Sequence, residues 1–190
     1  SAGMETCFVN LVEPGDKVVV CINGVFGGRM KENVIRAGGT PVCIEDAWGR
    51  AVDPNKLEDT LKAHPDARLV AFVQAETSTG ASSDTRTLVD IAHRHNCLTI
   101  VDAVTALGGS PLEVDAWGVD AVYAGSQKCL SCTPGLSPVS FSDHALAKVT
   151  GRATPVQSWF LDLNLVLGYW GGAAGSGKTK RNYHHTAPVN

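Results

Sequence analysis

Short apolar runs rich in β-branched residues alternate with helical segments along most of this chain of 190 residues. Six runs have the length of buried strands, namely Lys17 to Ile22, Pro41 to Glu45, Arg68 to Gln74, Cys97 to Asp102, Val119 to Ala124 and Ser137 to Phe141. Such nearly continuous apolar strands are typical of sheets that helices cover on both faces. Strand, helix, strand repeats are connected by right-handed crossovers. The sequence therefore predicts an α/β fold with a parallel or mostly parallel sheet flanked by helices.

Capping residues and periodicity predict helices between these strands. The predicted helices run from Met4 to Val12, from Gly28 to Ala37, from Asp53-Pro54 onward and from Asp84 to His95. Ser1, Ala2 and Gly3 stand at the start of the first helix. A helix N-terminus presents free N–H groups and the positive end of the helix dipole, so this turn is suited to hold an anion.

Length and charge limit the classes of protein to consider. A chain with 44% hydrophobic and 18% charged residues can form one sizeable core, so residues 1–190 are expected to be a single domain. The formal net charge of -3, without any basic patch, argues against nucleic acid and anionic membranes as partners. No apolar stretch approaches the ~18 residues of a membrane helix, and the first residues do not resemble a signal peptide. We expect a soluble, cytoplasmic protein.

Cys129 and Cys132 have the C-x-x-C spacing of zinc and redox motifs. A structural zinc site requires a second pair at similar spacing, and the other four cysteines stand singly in apolar segments, at positions 7, 21, 43 and 97. We interpret the cysteines as small apolar side chains in a reducing compartment.

Two motifs near the C-terminal end suggest other functions. Residues Gly172 to Thr179 fit the P-loop pattern G-x-x-x-x-G-K-[ST], but no strand is predicted before them and no helix after them, so we expect an exposed glycine-rich loop from Gly168 to Gly177. His184 and His185 suggest a metal site, but adjacent histidines point in different directions and no further ligand has a suitable spacing. No metal is expected.

Asp102 and Lys128 form a more informative pair, because each lies at or just past the end of a predicted buried strand. If those strands are parallel neighbours, both side chains arrive at the carboxyl edge of the sheet, where open α/β sheets bind ligands. Pyridoxal phosphate needs an amine for its Schiff base and a carboxylate for its pyridinium nitrogen. The pair therefore favours a pyridoxal-phosphate site.

Three successive strand ends carry polar segments of this kind. They are Ala75 to Gly80, Asp102 to Val104 and Ser126 to Lys128. One such loop is ordinary turn chemistry, but three in succession, with the anion-binding turn and the aromatic Phe26, indicate one pocket.

These motifs also resemble, in their order, the signature of class V, fold type I pyridoxal-phosphate aminotransferases. The similar segments are Ser1-Ala-Gly-Met-Glu, Asn23-Gly-Val-Phe-Gly, Glu76-Thr-Ser-Thr-Gly, Val101-Asp-Ala-Val-Thr-Ala-Leu-Gly-Gly, Gly125-Ser-Gln-Lys and Tyr183-His-His-Thr-Ala-Pro. Within the class, the chain is most similar to the alanine–glyoxylate and serine–glyoxylate (serine–pyruvate) group. The resemblance spans essentially all 190 residues.

The resemblance implies a role for each matching residue. Lys128 would form the Schiff base with pyridoxal phosphate and move the substrate proton, and Asp102 would pair with the pyridinium nitrogen. The other matching residues would bind the cofactor: Phe26 and Val104 on its two ring faces, Thr77 at its phenolic oxygen, Ser1, Ala2, Gly3 and Gln127 at its phosphate, and Tyr183 with Thr186 at the phosphate in a neighbouring subunit. A homodimer with shared active sites is therefore expected.

The resemblance further implies transamination between a small amino acid, alanine or serine, and a 2-oxo acid, glyoxylate or pyruvate. Relatives extend beyond both ends of this sequence, so we expect the chain to be the large cofactor-binding domain without the small C-terminal domain. Three alternatives stay open. They are a fragment that binds the cofactor or dimerises without turnover, a related class V activity such as aminoethylphosphonate transamination or cysteine desulfuration, and a nucleotide-binding protein that uses Gly172 to Thr179.

Overall fold

The structure is a computed structural model and describes residues 1–170. Its helices are α1 (Ala2–Leu11), α2 (Val25–Arg36), α3 (Pro54–Ala63), α4 (Thr85–Arg94), α5 (Asp143–Thr150) and α6 (Leu163–Trp170). Its strands are β1 (Lys17–Ile22), β2 (Thr40–Glu45), β3 (Ala67–Val73), β4 (Ala75–Glu76), β5 (Ala81–Ser82), β6 (Leu98–Asp102), β7 (Ala121–Tyr123) and β8 (Val139–Phe141).

Six strands form one sheet in the order β2-β1-β3-β6-β7-β8. The pairs from β2 to β7 are parallel, and β8 is antiparallel to β7. The remaining strands, β4 and β5, form a short antiparallel ladder next to the end of β3. The prediction of a mostly parallel sheet flanked by helices is confirmed.

Alternate residues of each central strand pack against different helical layers. In β1, Val18 and Val20 belong to the core under α1, α2 and α5, whereas Val19 and Cys21 belong to the core under α3 and α4. This alternation follows from the two-residue period of a strand, and burial on both faces explains why the strand sequences are apolar throughout. Among residues 1–170, no helix is both long and apolar enough to cross a membrane.

The strand predictions agree with β1, β2, β3 and β6 to within one residue at each end. The predicted Lys17 to Ile22 coincides with β1, whereas the strand predicted from Val119 to Ala124 is shorter and covers Ala121–Tyr123. The run from Ser137 to Phe141 was interpreted as buried on both faces, and this was wrong. It yields the three-residue edge strand β8, in which Val139 is 39% exposed, because no strand within residues 1–170 covers its outer side.

One helix start, one helix that was not predicted and one predicted loop also require correction. Helix α2 begins at Val25, not at Gly28, because the Glu76 carboxylate accepts hydrogen bonds from the Phe26 and Gly27 N–H groups and so caps its first turn. Gly27 also lets the helix approach β1, since an added Cβ there would lie 2.8 Å from the Cys21 carbonyl oxygen. Helix α5 was missed, although Ser142 caps it by accepting a hydrogen bond from the Ala145 N–H at 3.1 Å. Residues 168–170, where a loop was predicted to begin, belong to the end of α6, and the rest of that predicted loop lies outside the described residues.

Candidate active site

The carboxyl ends of β3, β6 and β7 meet at one edge of the sheet. Their register aligns Val73 with Asp102, and Asp102 with Tyr123. Because β6 and β7 are parallel neighbours, Asp102 and the loop that carries Lys128 leave the sheet at the same edge, as the sequence predicts. This edge is where open α/β sheets bind their ligands.

Asp102 is a buried carboxylate with a defined orientation. It is 3% exposed, and its Oδ1 accepts a hydrogen bond from the Val104 N–H at 2.9 Å. Its Oδ2 accepts one from the Tyr123 hydroxyl at 2.8 Å. Burial raises the pKa of Asp102, and the negative charge of Glu76 adds to that rise, whereas the two hydrogen bonds oppose it. A buried acid with a perturbed pKa at a ligand-binding edge is a candidate functional group.

Lys128 lies in the loop that returns from β7 to β8. Ser126 closes this loop at its base, because its hydroxyl donates to the Thr133 carbonyl oxygen at 2.6 Å and its own carbonyl oxygen accepts the Cys132 N–H at 3.0 Å. Lys128 is partly exposed, and among residues 1–170 its amine has no hydrogen-bond or ion-pair partner.

The Lys128 loop packs against the loop that follows Asp102. The Cys129 thiol donates to the Thr105 carbonyl oxygen at 3.1 Å. An added Cβ at Gly109 would lie only 2.4 Å from the Cys129 Sγ, so the absence of a side chain there permits the contact. The loops that carry the amine and the carboxylate are thereby fixed to each other.

Gly125 is closely surrounded by side chains in the loop that carries Lys128. A Cβ at this position would lie 2.8 Å from Gln127 Oε1 and 3.4 Å from Val104 Cγ1. The backbone here is therefore surrounded by two of the side chains that the sequence assigns to the cofactor site, and a larger residue would fill the space between them.

The start of α1 lies close to the end of β7. The Gly3 N–H donates to the Ser137 hydroxyl at 3.2 Å, and that hydroxyl donates to the Ala124 carbonyl oxygen at 2.7 Å. Ser1 and Ala2 are exposed, whereas Gly3 is buried. The predicted anion-binding turn is thus held at the same edge as Lys128, with the Gly3 N–H already bonded within the protein.

Phe26, in the first turn of α2, and Thr77, in the turn after β4, also lie at this edge. Phe26 is partly buried against the core below α1 and α2, and the Arg29 guanidinium carbon is 4.7 Å from its ring centroid. Thr77 is exposed, and its hydroxyl is hydrogen-bonded to the Thr105 hydroxyl. The Thr77 loop is therefore connected to the loop that follows Asp102.

Two residues at this edge were missed as individual candidates by sequence reasoning. Tyr123 holds Asp102, and Glu76 is a fully buried carboxylate that bonds to the first turn of α2. Glu76 could have been predicted as a site residue, because it stands two residues past the predicted apolar strand Arg68 to Gln74. The partner of Tyr123 depends on strand register and leaves no local pattern.

Several sequence predictions fall elsewhere. Tyr183, Thr186, the histidine pair and the P-loop pattern lie outside the described residues. Within residues 1–170, no group of three or more histidine, cysteine or acidic side chains is arranged to hold a metal ion. Cys7, Cys21 and Cys97 are buried, as expected of small apolar side chains. Cys129 and Cys132 are exposed, because the loop beyond β7 lies on the surface, so that interpretation was wrong for this pair.

A cavity of about 640 Å³ lies at the opposite, amino-terminal edge of the sheet. Asp120 lines it and is fully bonded, since its carboxylate contacts the Thr99 N–H at 3.0 Å, a ring nitrogen of His93 at 2.8 Å and the Ser142 hydroxyl at 3.0 Å. These bonds connect β6, α4 and the start of α5. We interpret Asp120 as a structural residue.

The mostly parallel sheet, with a buried aspartate and a lysine that has no partner among residues 1–170 at its carboxyl edge, defines an α/β protein with a potential Schiff-base site. The family model "Aminotransferase class-V" matches residues 4–157, and the chain belongs to this family. It is 38% identical over 186 residues to an alanine–glyoxylate aminotransferase of Oryctolagus cuniculus, which covers 98% of this chain and 46% of that protein.

Two further comparisons agree with this assignment. The crystal structure of an alanine–glyoxylate aminotransferase from Nostoc sp. superposes with a TM-score of 0.90 at 41% identity, covering 99% of this chain and 48% of that one. An (S)-ureidoglycine–glyoxylate transaminase of Bacillus subtilis (strain 168) is 31% identical over 204 residues, covering 97% of this chain and 47% of that protein. The chain spans about half the length of the curated relatives it matches.

Proposed function

We propose that this chain binds pyridoxal 5'-phosphate and supplies the lysine of a transaminase that transfers an amino group from alanine or serine to glyoxylate or pyruvate. The observation that carries the proposal is the placement of Asp102 and the Lys128 loop after neighbouring parallel strands. The names of the most similar relatives support glyoxylate as the acceptor.

The residues present fit this cofactor. Its ring nitrogen requires a carboxylate, and Asp102 is buried and held by two donors. Its aldehyde requires an amine, and Lys128 offers one that has no partner among residues 1–170. The absence of a side chain at Gly125 lets Gln127 and Val104, two residues assigned to the cofactor, lie close to the backbone of this loop.

Each residue then has a defined task. Bound pyridoxal phosphate supplies an electron sink for the bonds at the amino acid's Cα. Asp102 holds a proton at the ring nitrogen, which its buried carboxylate favours. Lys128 binds the cofactor covalently and moves a proton at the substrate's Cα. Thr77 orients the phenolic oxygen, and Phe26 and Val104 pack the ring faces.

We assign the remaining predicted residues to the phosphate group of the cofactor. We propose that Ser1, Ala2, Gly3 and Gln127 bind it from one subunit, and that Tyr183 and Thr186 reach it from the partner in a homodimer. The N-terminal turn of α1 contributes the positive end of a helix dipole.

A second candidate is a cofactor-binding or dimerising unit without turnover. The observation that favours it is that the bonds around Asp102 and the Lys128 loop suffice to hold a cofactor, whereas none of the residues assigned above binds the carboxylate of the amino acid. Addition of alanine or serine to the cofactor-loaded protein distinguishes the two candidates, since turnover alone converts the bound cofactor to pyridoxamine phosphate.

The first test is the visible absorption spectrum after incubation with pyridoxal phosphate and dialysis. We expect a retained band that disappears in Lys128→Ala and persists in Lys31→Ala, a matched exposed lysine on α2. Borohydride reduction followed by mass spectrometry should place the cofactor on Lys128. Loss of the band on dialysis of the unmodified protein, or modification of another lysine, would contradict the proposal.

A further inference from the structure

Glu76 is a carboxylate with no solvent exposure at the end of β4, beside the candidate active site. Its Oε2 accepts hydrogen bonds from the Phe26 N–H at 3.1 Å and from the Gly27 N–H at 3.4 Å. Its Oε1 accepts the Ser78 N–H at 3.1 Å and the Ser78 hydroxyl at 2.7 Å. Both oxygens are therefore bonded, Oε2 to the first turn of α2 and Oε1 to the turn after β4.

Hydrogen bonds and the dipole of α2 both stabilise the buried Glu76 carboxylate. Charged groups can be buried when hydrogen bonds replace their water, and Glu76 has four donors. The negative charge also lies at the N-terminus of α2, where the helix dipole favours an anion. Since α2 has no side-chain cap from its own N-cap residue Gly24, Glu76 takes over that role from a distant part of the chain.

The backbone around Glu76 leaves space for its side chain. An added Cβ at Gly24 would lie 2.4 Å from Glu76 Cγ and 2.6 Å from the Ser78 hydroxyl oxygen. The same hydroxyl accepts the Val25 N–H at 3.0 Å. Gly24, Glu76 and Ser78 thus form one closely packed connection, which we term the Glu76 clamp.

The clamp joins the two segments that carry Phe26 and Thr77. Phe26 gives its own N–H to Glu76, and Thr77 lies between the two residues that form the clamp on the other side. A shift of either segment would break bonds to a buried charge, which are stronger than bonds between neutral groups.

We infer that Glu76 is a positioning residue that fixes Phe26 and Thr77 relative to each other, and thereby sets the geometry at the cofactor ring. This inference rests on the proposed function. Within residues 1–170, no hydrogen bond joins Glu76 to Asp102 or Lys128, so its contacts with the site run through Phe26, Gly27 and Ser78, while its negative charge adds to the rise that burial causes in the pKa of Asp102.

The test compares Glu76→Gln with Ser78→Ala and with Glu32→Gln, which removes an exposed carboxylate from the same helix α2. Hydrogen–deuterium exchange is measured first on the protein without cofactor. We expect exchange at the Phe26 and Gly27 amides to rise at least about tenfold in Glu76→Gln, because hydrogen bonds to a charged acceptor contribute more than neutral ones. In Ser78→Ala we expect a smaller rise, and in Glu32→Gln none.

Amides of α4 serve as the internal control for hydrogen exchange, since a local change leaves their exchange rates within about twofold of those in the unmodified protein.

The second measurement is a titration with pyridoxal phosphate. We expect the dissociation constant to rise about tenfold in Glu76→Gln, with a shifted absorption maximum, because ring stacking and the Thr77 contact both change.

The outcomes separate this inference from the proposed function. Unchanged exchange at Phe26 and Gly27, or increased exchange with unchanged cofactor affinity and spectrum, would overturn the positioning role alone. Failure of the unmodified protein to bind the cofactor would overturn the proposed function and this inference together. Ser78→Ala keeps the carboxylate, so it provides the comparison even if Glu76→Gln folds poorly.

Discussion

The hydroxyl of Tyr123 donates a hydrogen bond of 2.8 Å to Asp102 Oδ2 across two paired strands of the buried sheet. Burial raises the pKa of Tyr123 well above its ordinary value, and the Asp102 charge adds to this rise. The phenol therefore stays protonated and acts only as a donor. One neighbour thus controls both the orientation and the charge of the carboxylate assigned to the cofactor ring.

We expect Tyr123→Phe to raise the pKa of Asp102 further, because the substitution removes a donor to the charged form. A hydrogen bond to a charged group contributes about 1.5–3 kcal/mol, so the free energy of unfolding at neutral pH should fall by about that amount. Carbon-13 NMR of the Asp102 carboxyl and urea unfolding measure the two effects. In an Asp102→Asn background, the stability cost should shrink, because no charge remains to be stabilised. An equal cost in both backgrounds would contradict this account.

Asp102→Asn should stabilise the protein without cofactor at neutral pH. The pKa of Asp102 is raised in the folded state, above the ~3.9 of an unfolded chain. Its contribution to stability is therefore full below the unfolded pKa and is lost as the pH rises through the folded pKa. Asparagine avoids this loss and can still accept the Val104 N–H. Urea midpoints at pH 7 should be higher for Asp102→Asn, and the difference should vanish in acid. Cofactor affinity should fall. A lower midpoint at pH 7 would refute the assignment.

Two glycines near the start of α2 should respond in opposite directions to alanine. Gly24→Ala inserts a Cβ 2.4 Å from Glu76 Cγ, and overpacking of this kind costs about 1–3 kcal/mol. Gly28→Ala meets nothing within 4 Å inside the helix, so it should stabilise by about 0.5–1 kcal/mol. Thermal unfolding of both variants measures the difference. The interpretation of the Glu76 clamp fails if Gly24→Ala is tolerated as well as Gly28→Ala.

Thiol labelling should divide the six cysteines into distinct groups. Cys129 and Cys132 are exposed, so both should react quickly with a maleimide in the native protein. Cys7 and Cys21 are fully buried, and burial raises the pKa of Cys97 to about 11, so these three should react only after unfolding. Cys43 is partly buried and should react at an intermediate rate. Mass spectrometry at early times checks the order, and fast labelling of Cys97 would be inconsistent with this fold.

Most of the parallel sheet could be predicted because the signals for its strands are local. An unbroken apolar run bounded by turns predicted β1 to the residue, and Asp84 predicted the start of α4, where its carboxylate accepts the Thr87 N–H. The edge that carries Asp102 and Lys128 followed from a general property of parallel strands, whose carboxyl ends coincide.

Features that depend on distant contacts could not be predicted in the same way. Helix α2 starts early because it is capped by Glu76, which is 50 residues from Phe26 in the sequence. The bond from Tyr123 to Asp102 depends on the register of two strands. Neither the cap from Glu76 nor the bond from Tyr123 can be predicted from local sequence, because each joins residues that are far apart in the chain.

The reversed direction of β8 determines how the loop that carries Lys128 is anchored. A loop that leads to a crossover helix is anchored at this edge only where it starts, and its other end departs toward the opposite side. The loop from β7 to β8 begins and ends at the same edge, and its returning half carries Ser137, which holds the start of α1. One hairpin-like connection therefore carries both Lys128 and the residue that bonds to the first turn of α1, so a shift of its returning half would break the bond to the Gly3 N–H.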